Sequence, residues 1–158
     1  MFRYSTISDG FADQPARSAA ELLAKIKGAP AWDDLCVSSE SSDFPRANLS
    51  WHEGQGYVFQ CFEDEKSVGY FLVQKKTLTE PQVDIVLGGQ AQERWPRELF
   101  VGAALAIEAL DAFLELGKQK STLHWVRGDR FPRATVWEGR TGREAWLAQK
   151  SQGPASDV

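Results

Sequence analysis

A chain of 158 residues with 42% hydrophobic and 25% charged side chains is long enough to bury most of its apolar surface in one domain, and too apolar to stay disordered. Its net charge of −4, from 22 acidic and 18 basic side chains, excludes the dense cationic footprint of a nucleic-acid binder. The acidity is uneven: residues 1–90 carry 13 acidic and 8 basic side chains, residues 91–158 carry 9 and 10.

Phe2 to Ile7 alternate as a first strand, and Ser8-Asp9-Gly10 follows as a turn. Ser18 and Glu21 have the spacing of a capping box, in which the hydroxyl accepts the amide three residues on and the glutamate reaches back. They open a helix whose apolar stripe is Leu22, Leu23 and Ile26 and which stops at Gly28, before Pro30. From Leu35 to Leu87 the period becomes two. Leu35–Ser38, Ala47–His52, Tyr57–Glu63, Val68–Gln74 and Val83–Leu87 are predicted as an antiparallel meander, because the connections are too short for parallel crossovers.

Gly88-Gly89 is expected to end the meander, and Trp95-Pro96-Arg97-Glu98 to open the longest helix, Glu98 to Gly117. Proline is tolerated in a first turn, and Glu98 suits the positive end of the helix dipole. The nearly all-apolar run Leu99–Ile107 demands cover on most sides, whereas Leu110, Phe113 and Leu114 form an inward stripe opposite Glu108, Asp111 and Glu115. Leu123–Val126 reads as a last strand returning to the sheet. In the basic tail that follows, Thr141 and Glu144 form a second capping box, predicting a short helix to about Lys150 before a frayed SQGPASDV end. The expected fold is therefore α+β: an antiparallel meander sheet of five to six strands, with the N-terminal helix and a long C-terminal helix packed on one face, plus a short helical tail. Residues 1–126 form the domain and 127–158 an extension.

Little in the chain points to catalysis. Cys36 and Cys61 lie in strand-like segments without a Cys-x-x-Cys spacing and read as reduced core thiols. His52 and His124 lie in strands too, outside any His-Glu-x-x-His pattern, and no Gly-x-Ser-x-Gly elbow occurs. Gly54-Gln55-Gly56 and Gly88-Gly89 read as turns, since neither opens a helix with a phosphate-binding lysine. No catalytic residue, metal or cofactor is expected. The start MFRYSTISDGF lacks a signal-peptide pattern, and no apolar run nears the roughly 20 residues of a membrane helix, so a cytoplasmic protein is expected. The candidate partner-binding residues are acidic: Asp33, Asp34, Glu40, Asp43, Glu63, Asp64 and Glu65, read as one face that steers a basic partner. Trp137, like Trp146, is either an aromatic anchor of an interface or a staple holding the tail to the domain.

The order of elements, with the segments SAAELLAKI, AWDDLCVSSESSDFPRANLSW and WPRELFVGAALAIEALDAFLELGKQKSTLHWV, resembles the first-numbered Imm family of bacterial immunity proteins, which are encoded beside polymorphic toxins that are often deaminase-like. In that family a helix ending in a Phe-Leu and Gly pattern leads through a short basic link to a strand with Trp; Phe113, Leu114, Gly117 and Trp125 occupy those places. The resemblance spans residues 1–126. It departs from the family in the link, where Lys118 to Thr122 stand without the usual proline. It implies a non-enzymatic antitoxin of interbacterial competition that binds a cognate, nucleic-acid-targeting toxin domain and occludes its active site or substrate groove. Such a protein would be a monomer in the toxin complex, with no direct contact to nucleic acid or membrane. Two other readings stay open: an effector-binding adaptor or chaperone of a secretion system, and an enzyme with a carboxylate site on the concave face of the sheet.

Overall fold

A computed structural model describes residues 1–87 and 91–151; Gly88-Gly89 and the end of the chain from residue 152 lie outside the described residues. The strands are β1 (Phe2–Thr6), β2 (Gln14–Pro15), β3 (Leu35–Ser39), β4 (Arg46–His52), β5 (Gly56–Phe62), β6 (Tyr70–Val73), β7 (Val83–Leu87), β8 (Ala91–Trp95), β9 (His124–Arg127) and β10 (Ala134–Glu138). The helices are α1 (Ala19–Ile26), α2 (Ala103–Leu116) and α3 (Gly139–Ser151). Seven strands form one antiparallel sheet in the order β2-β1-β3-β4-β5-β6-β9, and three form a second in the order β10-β8-β7.

Strand alternation assigns the two faces of the large sheet to different cores. Leu35, Val37, Ala47, Leu49, Tyr57, Phe59, Cys61 and Leu72 point to one side, where Leu22, Leu23 and Ile26 of α1 and Ala106, Ala109, Leu110 and Phe113 of α2 cover them. The Ser18 hydroxyl accepts the Glu21 amide at 3.4 Å at the start of α1, and the Tyr57 hydroxyl donates to the Leu23 carbonyl. Gly117, in the left-handed conformation at φ 71°, ends α2 by donating its amide to the Phe113 carbonyl. On the other side, Val58, Phe71 and Val73 meet Val83, Ile85 and Trp95 of the small sheet, with Leu99, Phe100 and Phe131 between. The molecule is thus α+β with α1 and α2 on one face, as expected.

Two parts of the sequence reading need correction. The large sheet has seven strands, and β7 leaves it to pair with β8, a strand to which the sequence reading assigned no element. The long helix begins at Ala103, not Glu98. Arg97–Leu99 is a 3₁₀ turn, and Val101 runs extended beside Tyr57, with both backbone hydrogen bonds at 2.8 Å. The apolar run from Leu99 is explained without a helix: Leu99 and Phe100 enter the core between the sheets, and Val101 crosses to the core beneath the helices. Gly56 makes that crossing possible, since a Cβ there would stand 2.5 Å from the Val101 carbonyl oxygen, on a backbone at φ +121°.

The extension packs on the domain. Residues 127–151 are built into the body: β10 pairs with β8, Phe131 and Trp137 are buried, and α3 packs on β10 and β8. Helix α3 starts at Gly139, two residues before Thr141, and runs one residue past Lys150.

Glu98, expected in the first turn of a helix, is buried and holds the 74–82 segment: its carboxylate accepts the Thr79 amide and, at 3.1 Å, the Thr79 hydroxyl. Its backbone carbonyl accepts the Gln74 amide. Glu98→Ala should cost about 2 kcal/mol, since hydrogen bonds to a charged acceptor are lost. Urea denaturation reads the loss, and faster amide exchange at Thr79 locates it; an unchanged exchange rate there would contradict the assignment.

Candidate functional site

The small sheet covers only part of the large sheet's second face. Over β1, β3 and β4 that face is open, and three adjoining concavities of about 610, 250 and 230 Å³ run along it. The first two share Ala31 and His52, and the last two share Ile7, Asp34 and Asn48, so they form one trench. Its floor is β4, whose Asn48, Ser50 and His52 point away from the helices because Ala47 and Leu49 point toward them. One wall is β7. The other comprises the loops around Ile7–Phe11 and Ala31–Asp34.

Large apolar side chains stand at the rim, with Phe11 67% and Trp32 54% exposed and Ile7 and Val86 also open to solvent. Phe11 is also the one non-glycine residue with positive φ among the described residues, at 62°, a conformation that disfavours bulky side chains. The floor is polar and uncharged at Asn48, Ser50 and His52, and carries one cation, Arg46, at its Phe11 end. Ser50 Oγ and His52 Nε2 lie 2.8 Å apart, the His52 ring meets Phe100 edge-on, and burial pushes the imidazole down to about 4, so it is uncharged at neutral pH. Asp34 is exposed and lines the trench, where partial desolvation, helped by the neighbouring charge of Asp33, raises its carboxyl to about 6. It is still an anion at pH 7, and no ion pair among the described residues includes it.

The predicted acidic face is divided by the fold. Strand registers Phe2↔Ser39, Ser38↔Arg46 and Arg46↔Phe62 bring Glu40, Asp43, Glu63, Asp64 and Glu65 to one end of the sheet. Asp33 and Asp34 precede Leu35 at the opposite end of β3, roughly 16 Å away at the rise of an extended chain. Within the first group, Asp43 pairs with Arg3, Glu40 with the Met1 amine, and Asp64 caps its own turn by accepting the Lys66 amide. Glu63 and Glu65 are exposed. Asp33 is buried and accepts the Ser8 amide at 2.8 Å, so it fastens the Ile7–Phe11 loop and offers nothing to a partner. Trp137 is also withdrawn from any surface: its ring is buried and its indole N–H donates to Gln92 Oε1 at 2.8 Å. Of its two readings, the structure selects the staple.

The cysteines lie on opposite faces. Cys61 is in the helix-side core, where burial pushes its thiol up to about 12, while Cys36 is only half-buried and borders the trench, a position the core-thiol reading did not foresee. Among the described residues no three His, Cys, Asp or Glu side chains are grouped to hold a metal, and no helix is long and apolar enough to cross a membrane. No protein-family model matches the chain, and a search of curated proteins gives no match.

Ile7, Phe11, Trp32 and Val86 escaped the sequence reading. Two carried a local signal: Phe11 directly follows Gly10 in a turn, and Trp32 stands in a loop between Pro30 and Asp33, places where a core aromatic has no periodic reason to be.

Proposed function

We propose that this chain is a cytoplasmic immunity protein that binds a cognate bacterial toxin domain, one that acts on nucleic acid and is deaminase-like, and neutralises it by blocking its active site or substrate groove. The observation that carries a binding role is the trench: exposed Phe11 and Trp32 flank a floor of hydrogen-bonding side chains on the open half of the sheet. Exposed aromatic side chains are enriched at interfaces, where Trp is a common hot spot. The toxin reading is supported by the resemblance of the segment Trp95 to Val126. Asp34 in the trench, which has no ion pair among the described residues, and the exposed Glu63 and Glu65 at the far end of the sheet would both favour a toxin with a basic substrate groove. The chain then acts by occupancy, as a monomer in the complex, and needs no cofactor.

Co-expression with the toxin domain encoded in the same locus should restore growth and yield a complex that survives gel filtration. Continued killing with no complex overturns the proposal. Binding to the toxin-bearing protein outside its toxic domain, without protection, would instead identify an adaptor or chaperone.

A further inference from the structure

Strand β7 has one sheet neighbour, β8, among the described residues, so its second edge has no strand beside it. That edge borders the trench. Gln82, Val83 and Asp84 line the first concavity and Ile85 and Val86 the second; these consecutive residues belong to both faces of the strand, so β7 presents its edge and not one face. A bare edge carries a row of backbone donors and acceptors, which a second extended chain satisfies by adding a strand.

We propose that the trench takes an extended peptide segment of a partner protein, which pairs with the free edge of β7 and carries a basic side chain opposite Asp34, flanked at alternate positions by apolar side chains. This deepens the reading above by naming the part of the partner that is held.

Charge, apolar contacts and length all favour that occupant. Three carboxylates, Asp34, Glu53 and Asp84, line the trench against one cation, Arg46, at its Phe11 end. Asp84 is bonded to Arg94 at 2.8 Å and Glu53 accepts the Trp51 indole N–H, whereas Asp34 has no cationic partner among the described residues. An ammonium or guanidinium group would supply the missing charge, and one held in a partly enclosed trench gains more than one in open water. Trp32, Ile7 and Val86 stand on the walls around Asp34, where side chains flanking the basic one would meet them. Phe11 lies at the Arg46 end, held outward by its left-handed backbone. Such a conformation costs of order 1–3 kcal/mol and is found where function uses the side chain it displays. The five residues of β7 span about 17 Å, so about five residues of extended peptide would pair along its edge.

The test is selection of a random octapeptide phage library on the full chain, which does not require the toxin. Enriched sequences should place Lys or Arg two positions from a β-branched or aromatic residue. A synthetic peptide of the enriched sequence should slow amide exchange within residues 83–86. Asp34→Lys should weaken its binding about tenfold or more, because it sets like charges against each other. Trp32→Ala should also weaken it, and Glu115→Lys, on the outer face of α2, should not. The inference is overturned if no sequence is enriched over the naive library, if Asp34→Lys and Trp32→Ala bind the selected peptide like the wild type, or if protection appears away from β7. A chain that binds such peptides but fails to protect against the toxin keeps this inference and loses the toxin reading; protection without peptide binding does the reverse.

Discussion

Trp137→Ala should destabilise the whole protein by about 3–5 kcal/mol, read from urea unfolding followed by circular dichroism. The ring is 6% exposed, on a strand at the edge of the small sheet, and its removal leaves a cavity against β8 and α3. It also deprives the buried Gln92 amide oxygen of its indole donor. Trp137→Phe separates these effects: most of the apolar contact remains, and the unsatisfied amide alone should cost about 1–3 kcal/mol. The loss should be global, because β8 shares its core with the large sheet through Trp95, which packs edge-on against Phe71, while Phe131 meets both rings at 5.3 Å. An alanine variant that melted in two steps, with the large sheet unaffected, would show that residues 127–151 unfold independently of the large sheet.

The same residues show why the small sheet was hard to read from the sequence. The meander strands β3, β4 and β5 alternate cleanly because one face meets the helices, and α1 carries a cap at Ser18 and a compact apolar stripe. In β8 the buried positions are Gln92 and Trp95, three apart and one of them polar, on a strand whose partner β10 is bulged between Thr135 and Trp137. A buried amide satisfied by an indole 45 residues away looks locally like a loop residue. The helix start was misplaced for a related reason. Pro96 and Glu98 fit a helix N-terminus by local rules, but the Thr79 loop claims Glu98 and the close approach at Gly56 claims Val101.

For the binding surface, nearness in sequence was a poor guide. Asp33-Asp34 and Glu40-Asp43 are separated by a single strand, which places them at opposite ends of the sheet, and Asp33 and Asp34, though adjacent, have different fates. Asp33 turns inward to the Ser8 amide, a partner set by the pairing of β1 with β3; Asp34 stays in the trench. The trench requires β7 to leave the meander, which no local pattern in Val83–Leu87 encodes. Phe11 and Trp32 were legible only as aromatics out of place.

His52 and Asp34 share the trench and bind protons with opposite effects on stability. Above pH 6.5 the imidazole is neutral both in the fold and in the unfolded chain and contributes no pH dependence. Between pH 6.5 and its folded value of about 4, the unfolded chain takes up a proton that the buried ring refuses, so stability falls as the pH falls. The full difference is roughly 3 kcal/mol. Asp34 runs the other way: from its ordinary 3.8 up to about 6 the fold keeps a proton that the unfolded chain releases, so stability falls as the pH rises. Because that residue is exposed, solvent screening should limit its effect to under about 1 kcal/mol. The two oppose each other between about pH 4 and 6, and His52 dominates. Compared with the wild type, His52→Gln should lose less stability between pH 7 and pH 4. Asp34→Asn should lose more over that interval, and at pH 7 it should be slightly the more stable protein. Urea unfolding at a series of pH values gives these differences directly, because titrations common to all three proteins cancel. An acid limb unchanged by His52→Gln would mean that the imidazole takes up its proton in the fold as readily as in the unfolded chain; below about pH 6.5 the trench floor would then repel the basic peptide it is proposed to hold.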